Sequence, residues 1–186
     1  MKRFLATVVV CVVSFFILGA KEPAAKVGPA AVEDNIALFF SPDGGCADAI
    51  VAQLASAKHS VHMMAYFFSS PKIAKAVLEA SKRKIEVVVI VDKSIETANY
   101  SSADFLANGG VPTYVDSEHA IAHNKVILID GQIIITGSFN FTASADTDNA
   151  ENLLILNNKQ KLYAAYEKNF QDHLKHSKKH AGKAER

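Results

Sequence analysis

The run "IEVVVIVD", residues 85–92, narrows the fold more than any other stretch of this chain. Its β-branched side chains are stiff at χ1 and favour extended backbone. Successive side chains of a strand point to opposite faces, so an unbroken apolar run is greasy on both. Such a strand has to be covered on both sides, which places it inside a sheet with helices packed above and below.

The rest of the chain alternates in a way that supplies those helices. "NIALFF" (35–40) reads as a strand and "SPDGG" as a turn, and "CADAIVAQLASA" (46–57) sets Ala47, Ile50, Val51 and Leu54 on one helical face. "SVHMMAYFF" (60–68) is a further buried strand, followed by "SSPKIAKAVLEASKRK", whose serine and proline suit a helix start. "SSADFLANGG" predicts a short helix closed by Gly109 or Gly110 in the left-handed cap. "VPTYV", "KVILID", "IIITG" and "NLLIL" complete the strands, the middle two joined as a hairpin by a two-residue turn "GQ". A helix from Lys159 to about His176 carries Leu162, Tyr163, Tyr166 and Phe170 at helical spacing. The expected fold class is α/β, a mixed and mostly buried sheet flanked by helices on both faces.

Residues 1–20, "MKRFLATVVVCVVSFFILGA", have a basic start, an apolar run and small residues at the end, as a secretory signal does. Cleavage after Ala20 is expected, giving a periplasmic or secreted protein; retention would make the segment a membrane anchor. Residues 21–34 read as a linker, 35–176 as one catalytic-size domain and 177–186 as a basic, frayed tail. Without residues 1–20 the 20 basic residues lose Lys2 and Arg3, leaving 18 against 19 acidic ones. Net charge therefore names no partner, and any basic surface is local. Cys46 is alone after Cys11 is removed, so no internal disulfide is expected.

One stretch departs from core chemistry. "AHNKVILID" puts His123 and Lys125 on what reads as a buried strand, two apart and so on one face. Val126, Leu128 and Asp130 fall on the other. An imidazole beside an ammonium suits a phosphate ester, the lysine neutralising a non-bridging oxygen while the histidine attacks phosphorus. The next strand ends in "GSFN", where Gly137 permits close backbone approach and Ser138 and Asn140 offer donors to an anion. Glu151 could hold one ring nitrogen of a histidine and fix its tautomer. Taken singly, a strand histidine is more often structural and an isolated lysine an edge residue. Their joint spacing is what points to a site.

That spacing, His123-x-Lys125, Asp130, then Gly137-Ser138-x-Asn140, resembles the HKD motif of the phospholipase D superfamily. "SVHMMAYFFSSPKIAKAVLEA" and "TGSFNFTASADTDNAENLLIL" resemble in particular its small, single-motif bacterial endonucleases, over roughly residues 35–175. The resemblance implies a phosphodiesterase in which His123 becomes a covalent phosphohistidine, Lys125, Ser138 and Asn140 bind phosphate, and Glu151 orients a catalytic histidine. Asp130 and Gly137 belong to the motif, and the facing argument makes Asp130 structural. The expected substrate is DNA or RNA, with membrane phospholipid headgroups as the alternative. In-line displacement needs a nucleophile and a proton donor on opposite sides of phosphorus. A chain with one motif must find the second histidine in a homodimer whose active site spans the two-fold axis. Two such groups would titrate as a coupled pair. No cofactor is expected, because Lys125 brings the charge a metal would. "DSEHAIAH" offers Asp116, Glu118, His119 and His123 as ligands, but its 119/123 spacing runs into strand-like sequence and no further ligand pair is evident. "ADTDNAE" lacks the glycine and spacing of a calcium loop.

Overall fold

The computed structural model describes residues 28–98 and 101–182. Residues 1–27, 99–100 and 183–186 lie outside them, and with them the expected signal segment and half of the expected linker.

Nine strands form one sheet among the described residues. In chain order they are β1 (Ala31–Glu33), β2 (Ile36–Ser41), β3 (Ser60–Ala65), β4 (Glu86–Asp92), β5 (Thr113–Asp116), β6 (Lys125–Ile129), β7 (Ile133–Gly137), β8 (Glu151–Asn157) and β9 (Lys178–Lys179). Across the sheet they run β1-β2-β8-β7-β6-β3-β4-β5-β9. β3, β4 and β5 are parallel, and every other pairing is antiparallel. The sheet is mixed, as the sequence predicts, and "IEVVVIVD" lies within it as β4.

Five helices flank it: α1 (Cys46–Ser56), α2 (Pro71–Lys82), α3 (Ser102–Asn108), α4 (Ala143–Thr147) and α5 (Gln160–His176). One face of the sheet, with Val61, Met63, Val89, Val91, Ile127 and Ile129, packs into the larger core with α1, α2 and α3. The other face, with Met64, Ile90, Val126, Leu128 and Ile134, packs on Tyr163 and Phe170 of α5. Covering both faces is what makes continuous apolar strands stable. α2 begins as its sequence requires, with the Ser70 hydroxyl accepting from the Ile73 N–H and Pro71 in the first turn.

Four local expectations are corrected. Residues 31–33, read as linker, pair with β2 as an exposed edge strand. The tail does not fray at its start, because Lys178 and Lys179 pair with β5 and the His180 ring nitrogen meets Asp104 at 2.7 Å. Residues 143–147, to which the sequence reading assigns no element, form α4, capped by the Thr142 hydroxyl on the Ala145 N–H. The hairpin loop has three residues, Asp130 to Gln132, with Asp130 and Gly131 at positive φ, rather than the two-residue Gly131–Gln132. Asp130 tolerates that backbone because its carboxylate is fastened elsewhere, as described next. No helix among the described residues is long and apolar enough to cross a membrane.

Candidate active site

One end of the sheet gathers the C-terminal ends of β3, β4, β5 and β7 and the N-terminal ends of β6 and β8. Pairing fixes this: Ala65 lies opposite Lys125, Val126 opposite Thr136, and Gly137 opposite Leu153. The residues read as a site converge here because sheet register, and not chain proximity, brings Lys125, Ser138 and Glu151 together.

His123 and Lys125 meet, although not as two buried strand residues. β6 starts at Lys125, so His123 precedes the strand and is exposed, and only Lys125 is buried, at 8% exposure. The Lys125 Nζ lies 3.2 Å from both His123 ring nitrogens and 3.1 Å from the His123 carbonyl oxygen. An ammonium equally close to both ring nitrogens is shared between them and lies along the lone pair of neither. Tyr66 completes the group, its ring 4.5 Å from the imidazole and its centroid 5.2 Å from Nζ. That is within cation–π range. Sequence reasoning missed Tyr66; its signal is only that it follows Ala65, the residue paired with Lys125.

Burial pushes the Lys125 pKa below its usual value, and the charge of Glu151 pushes it partly back. Glu151 itself accepts the Ser138 hydroxyl at 2.5 Å and the Asn149 amide at 3.3 Å. Within one chain its carboxylate therefore engages Ser138 and not a histidine. The Ser138 oxygen also accepts the Asn152 backbone N–H at 3.0 Å. Asn140 leaves its side-chain oxygen buried without a hydrogen-bond partner. A buried polar atom in that state carries a cost of about 1–3 kcal/mol and marks a place where a ligand can bond.

Gly137 admits close backbone, but the neighbour is the protein's own. At φ 148°, a Cβ there would lie 2.3 Å from the Asn152 carbonyl oxygen. Asp130 lies at the far end of β6 from Lys125. Its carboxylate accepts the backbone N–H groups of Lys58, His59 and Ser60 at 2.8, 2.7 and 2.9 Å. Burial alone would raise its pKa; the bonds from Ser60, His59 and Lys58 outweigh that and hold it below the usual carboxylate range. Asp130 thus ties the β6–β7 turn to the entry of β3.

Asp92, at the end of β4, is a second residue that sequence reasoning missed. Buried at 3% exposure, it accepts the Ser94 N–H at 2.8 Å and the Ala122 N–H at 2.7 Å. It thereby pins the residue immediately before His123. The metal-ligand candidates divide, since Asp116 and His119 join a separate cluster while His123 stays with Lys125.

Residues 50–174 match the family model described as "Cardiolipin synthase, PLD-like domain". The chain is 39% identical over 126 residues to a phospholipase D of Rickettsia typhi, a match covering 68% of this chain and 62% of that protein. It is 34% identical over 122 residues to a mitochondrial cardiolipin hydrolase of Xenopus laevis, covering 66% and 58%. The chain thus spans about three fifths of the length of these relatives. Among solved structures it superposes on Nuc of Salmonella typhimurium, a phospholipase D family member, with TM-score 0.75 and 35% identity over 78% of this chain and 97% of that one. NucT of Helicobacter pylori has the same fold at TM-score 0.71 and 22% identity, covering 78% and 98%.

Proposed function

This chain belongs to the phospholipase D superfamily of phosphodiesterases, and we propose that it is an endonuclease that cuts DNA or RNA through a phosphohistidine at His123. The observation that carries this reading is the half-site: one exposed imidazole within 3.2 Å of one buried ammonium. An open site of this kind suits a polymer that presents phosphates along its backbone. The motif's resemblance to the small endonucleases supports the same substrate.

In the proposed reaction a neutral His123 nitrogen attacks phosphorus, forming a P–N bond as the P–O bond to the leaving sugar breaks. Lys125 neutralises a non-bridging oxygen as charge builds on it, and the Asn140 side-chain N–H would donate to another. The leaving oxygen takes a proton from a second imidazolium. Water then attacks phosphorus, the P–N bond breaks, and the second imidazole takes the water's proton back.

The chain's other histidines offer no such partner. His62 stacks on Phe170 and bonds Glu167, His119, His173 and His176 surround Asp116, His180 meets Asp104, and His59 adjoins the Asp130 turn at the far end of the sheet. A second copy of the chain supplies the acid in this account, its His123 facing the first across a two-fold axis. Glu151, engaged with Ser138 within the chain, would orient the partner's imidazole once the half-sites meet.

A phospholipid substrate is the second reading. The relatives named phospholipase D and cardiolipin hydrolase favour it, as do Phe67 and Ile121, exposed at 48% and 56% on either side of the site in sequence. Parallel assays in EDTA on plasmid DNA, RNA and cardiolipin vesicles separate the two. Cleavage of nucleic acid that His123→Ala abolishes supports the first. Vesicle hydrolysis with intact nucleic acid replaces it with the second.

A further inference from the structure

Away from the His123 site, three imidazoles converge on one carboxylate. We propose that Asp116, His119, His173 and His176 form a second site, which holds one divalent transition metal of the zinc class and clamps α5 to the end of β5.

The four candidate ligand atoms are gathered closely enough to share one ion. The Asp116 Oδ2 lies 2.7 Å from His173 Nδ1, 2.9 Å from His119 Nδ1 and 3.2 Å from His176 Nε2. All four candidate ligand atoms fall within 4.8 Å of one another. Four ligands on a tetrahedral zinc, with bonds of about 2.0–2.1 Å, stand about 3.3 Å apart. His173 and His176 are three apart on α5 and so share a face, and His119 comes from the loop after β5.

Hydrogen bonding alone accounts for the cluster poorly. The Nδ1 atoms of His119 and His173 both hydrogen-bond the Asp116 Oδ2, which fills the two lone pairs of that buried oxygen. A third ring nitrogen, His176 Nε2, is buried 3.2 Å from the same oxygen without the alignment of a hydrogen bond. Close approach without donor–acceptor alignment is what two ligands of a common ion display.

The outer partners are those that metal ligands need. The Asp116 Oδ1 takes the Glu118 N–H at 3.1 Å and the His119 N–H at 3.5 Å, which turns Oδ2 toward the histidines. Glu118 Oε2 lies 3.7 Å from the other ring nitrogen of His176, beyond hydrogen-bond distance but near enough to add negative charge beside the cluster. Three imidazoles and one carboxylate select Zn2+, Co2+, Ni2+ or Cu2+ over Ca2+ and Mg2+. Four protein ligands make a closed, structural site. Entry is open along His119, whose side chain is 47% exposed.

The site is distinct from the phosphoryl-transfer centre. Asp116 and Lys125 are separated by three strand spacings, about 14 Å at ~4.8 Å each. The two are nonetheless joined by residues 117–122, which run from the cluster to His123. Lys93 Nζ holds the His119 carbonyl at 2.8 Å and Asp92 holds the Ala122 N–H at 2.7 Å. A metal on His119 would fasten the third point of that loop.

The test uses tag-free protein stripped with chelator and dialysed. Added Co2+ should give the visible ligand-field band of a four-coordinate ion, saturating at one equivalent and displaced by Zn2+. Zinc at a hundredfold excess over its Kd should raise Tm by about 5–10 °C. His119→Ala, an exposed change that leaves the buried pair in place, should lose the band and most of the Tm shift, as should His176→Ala. Absence of the band and of the shift overturns the proposal. So does one-equivalent binding that survives both substitutions, which would put the metal elsewhere.

Discussion

Lys125 is the residue on which electrostatics and function pull in opposite directions. Its ammonium is buried, and desolvation drives its pKa below 10.5 against the counter-pull of Glu151. The folded pKa is then lower than the unfolded one, so the charged form opposes folding. That cost is present at neutral pH and is relieved as pH rises through the folded pKa toward 10.5. Phosphate binding, as proposed for Lys125, would run the other way and weaken over the same interval. Lys125→Met should therefore leave Tm at pH 7 unchanged or higher while lowering kcat/KM by about 100-fold or more, measured by melting and by phosphodiester turnover. A loss of both would make Lys125 a structural residue. Asp130 has the converse signature. Its folded pKa lies below 3.8, so its contribution is full above 3.8 and is lost as pH falls through the folded value. Asp130→Asn should cost about 1–3 kcal/mol at pH 7 by denaturant titration, and should flatten the acid limb of stability below pH 4.

At the scale of elements, patterns carried within a few residues are legible in the sequence, and pairings between distant segments are not. β4 announces itself because its apolar run needs no partner to be recognised, and α2 because Ser70 and Pro71 mark its start. The nearness of His123 and Lys125 follows from a two-residue separation. Tyr66 against His123, Glu151 against Ser138 and His173 against Asp116 all depend on sheet order and on where α5 lies. None of these is written in local spacing. Edge strands β1 and β9 escape notice for a related reason: they are short and exposed, and they exist because β2 and β5 offer unpaired edges. Gly137 shows how a motif residue can serve an element instead of a ligand. Gly137→Ala would place a methyl against the Asn152 carbonyl in a backbone conformation that favours glycine. It should destabilise by about 2 kcal/mol or more in urea melts, with β7–β8 amides losing hydrogen-exchange protection first. Protection equal to wild type would remove that account.

For the whole molecule, the family and fold follow from residues 50–174 and from the superposition on Nuc, whereas the assembly rests on a count. The chain has seven histidines, and only His123 lies beside Lys125. On the proposed mechanism a second chain would supply the in-line acid, and light scattering should then give twice the chain mass at assay concentrations. Mixed dimers carrying one His123→Ala chain should be inactive, so activity should fall as the square of the wild-type fraction after co-refolding. A linear fall would mean that each chain works alone. The most direct test is to find the covalent intermediate. Wild-type protein mixed with an oligonucleotide in EDTA and quenched within a turnover should gain, by intact-mass spectrometry, one nucleotidyl or phosphoryl adduct. Peptide mapping should place it on His123, and His123→Ala should carry none. Cleavage that proceeds in His123→Ala, or an adduct on any other residue, would contradict the mechanism outright.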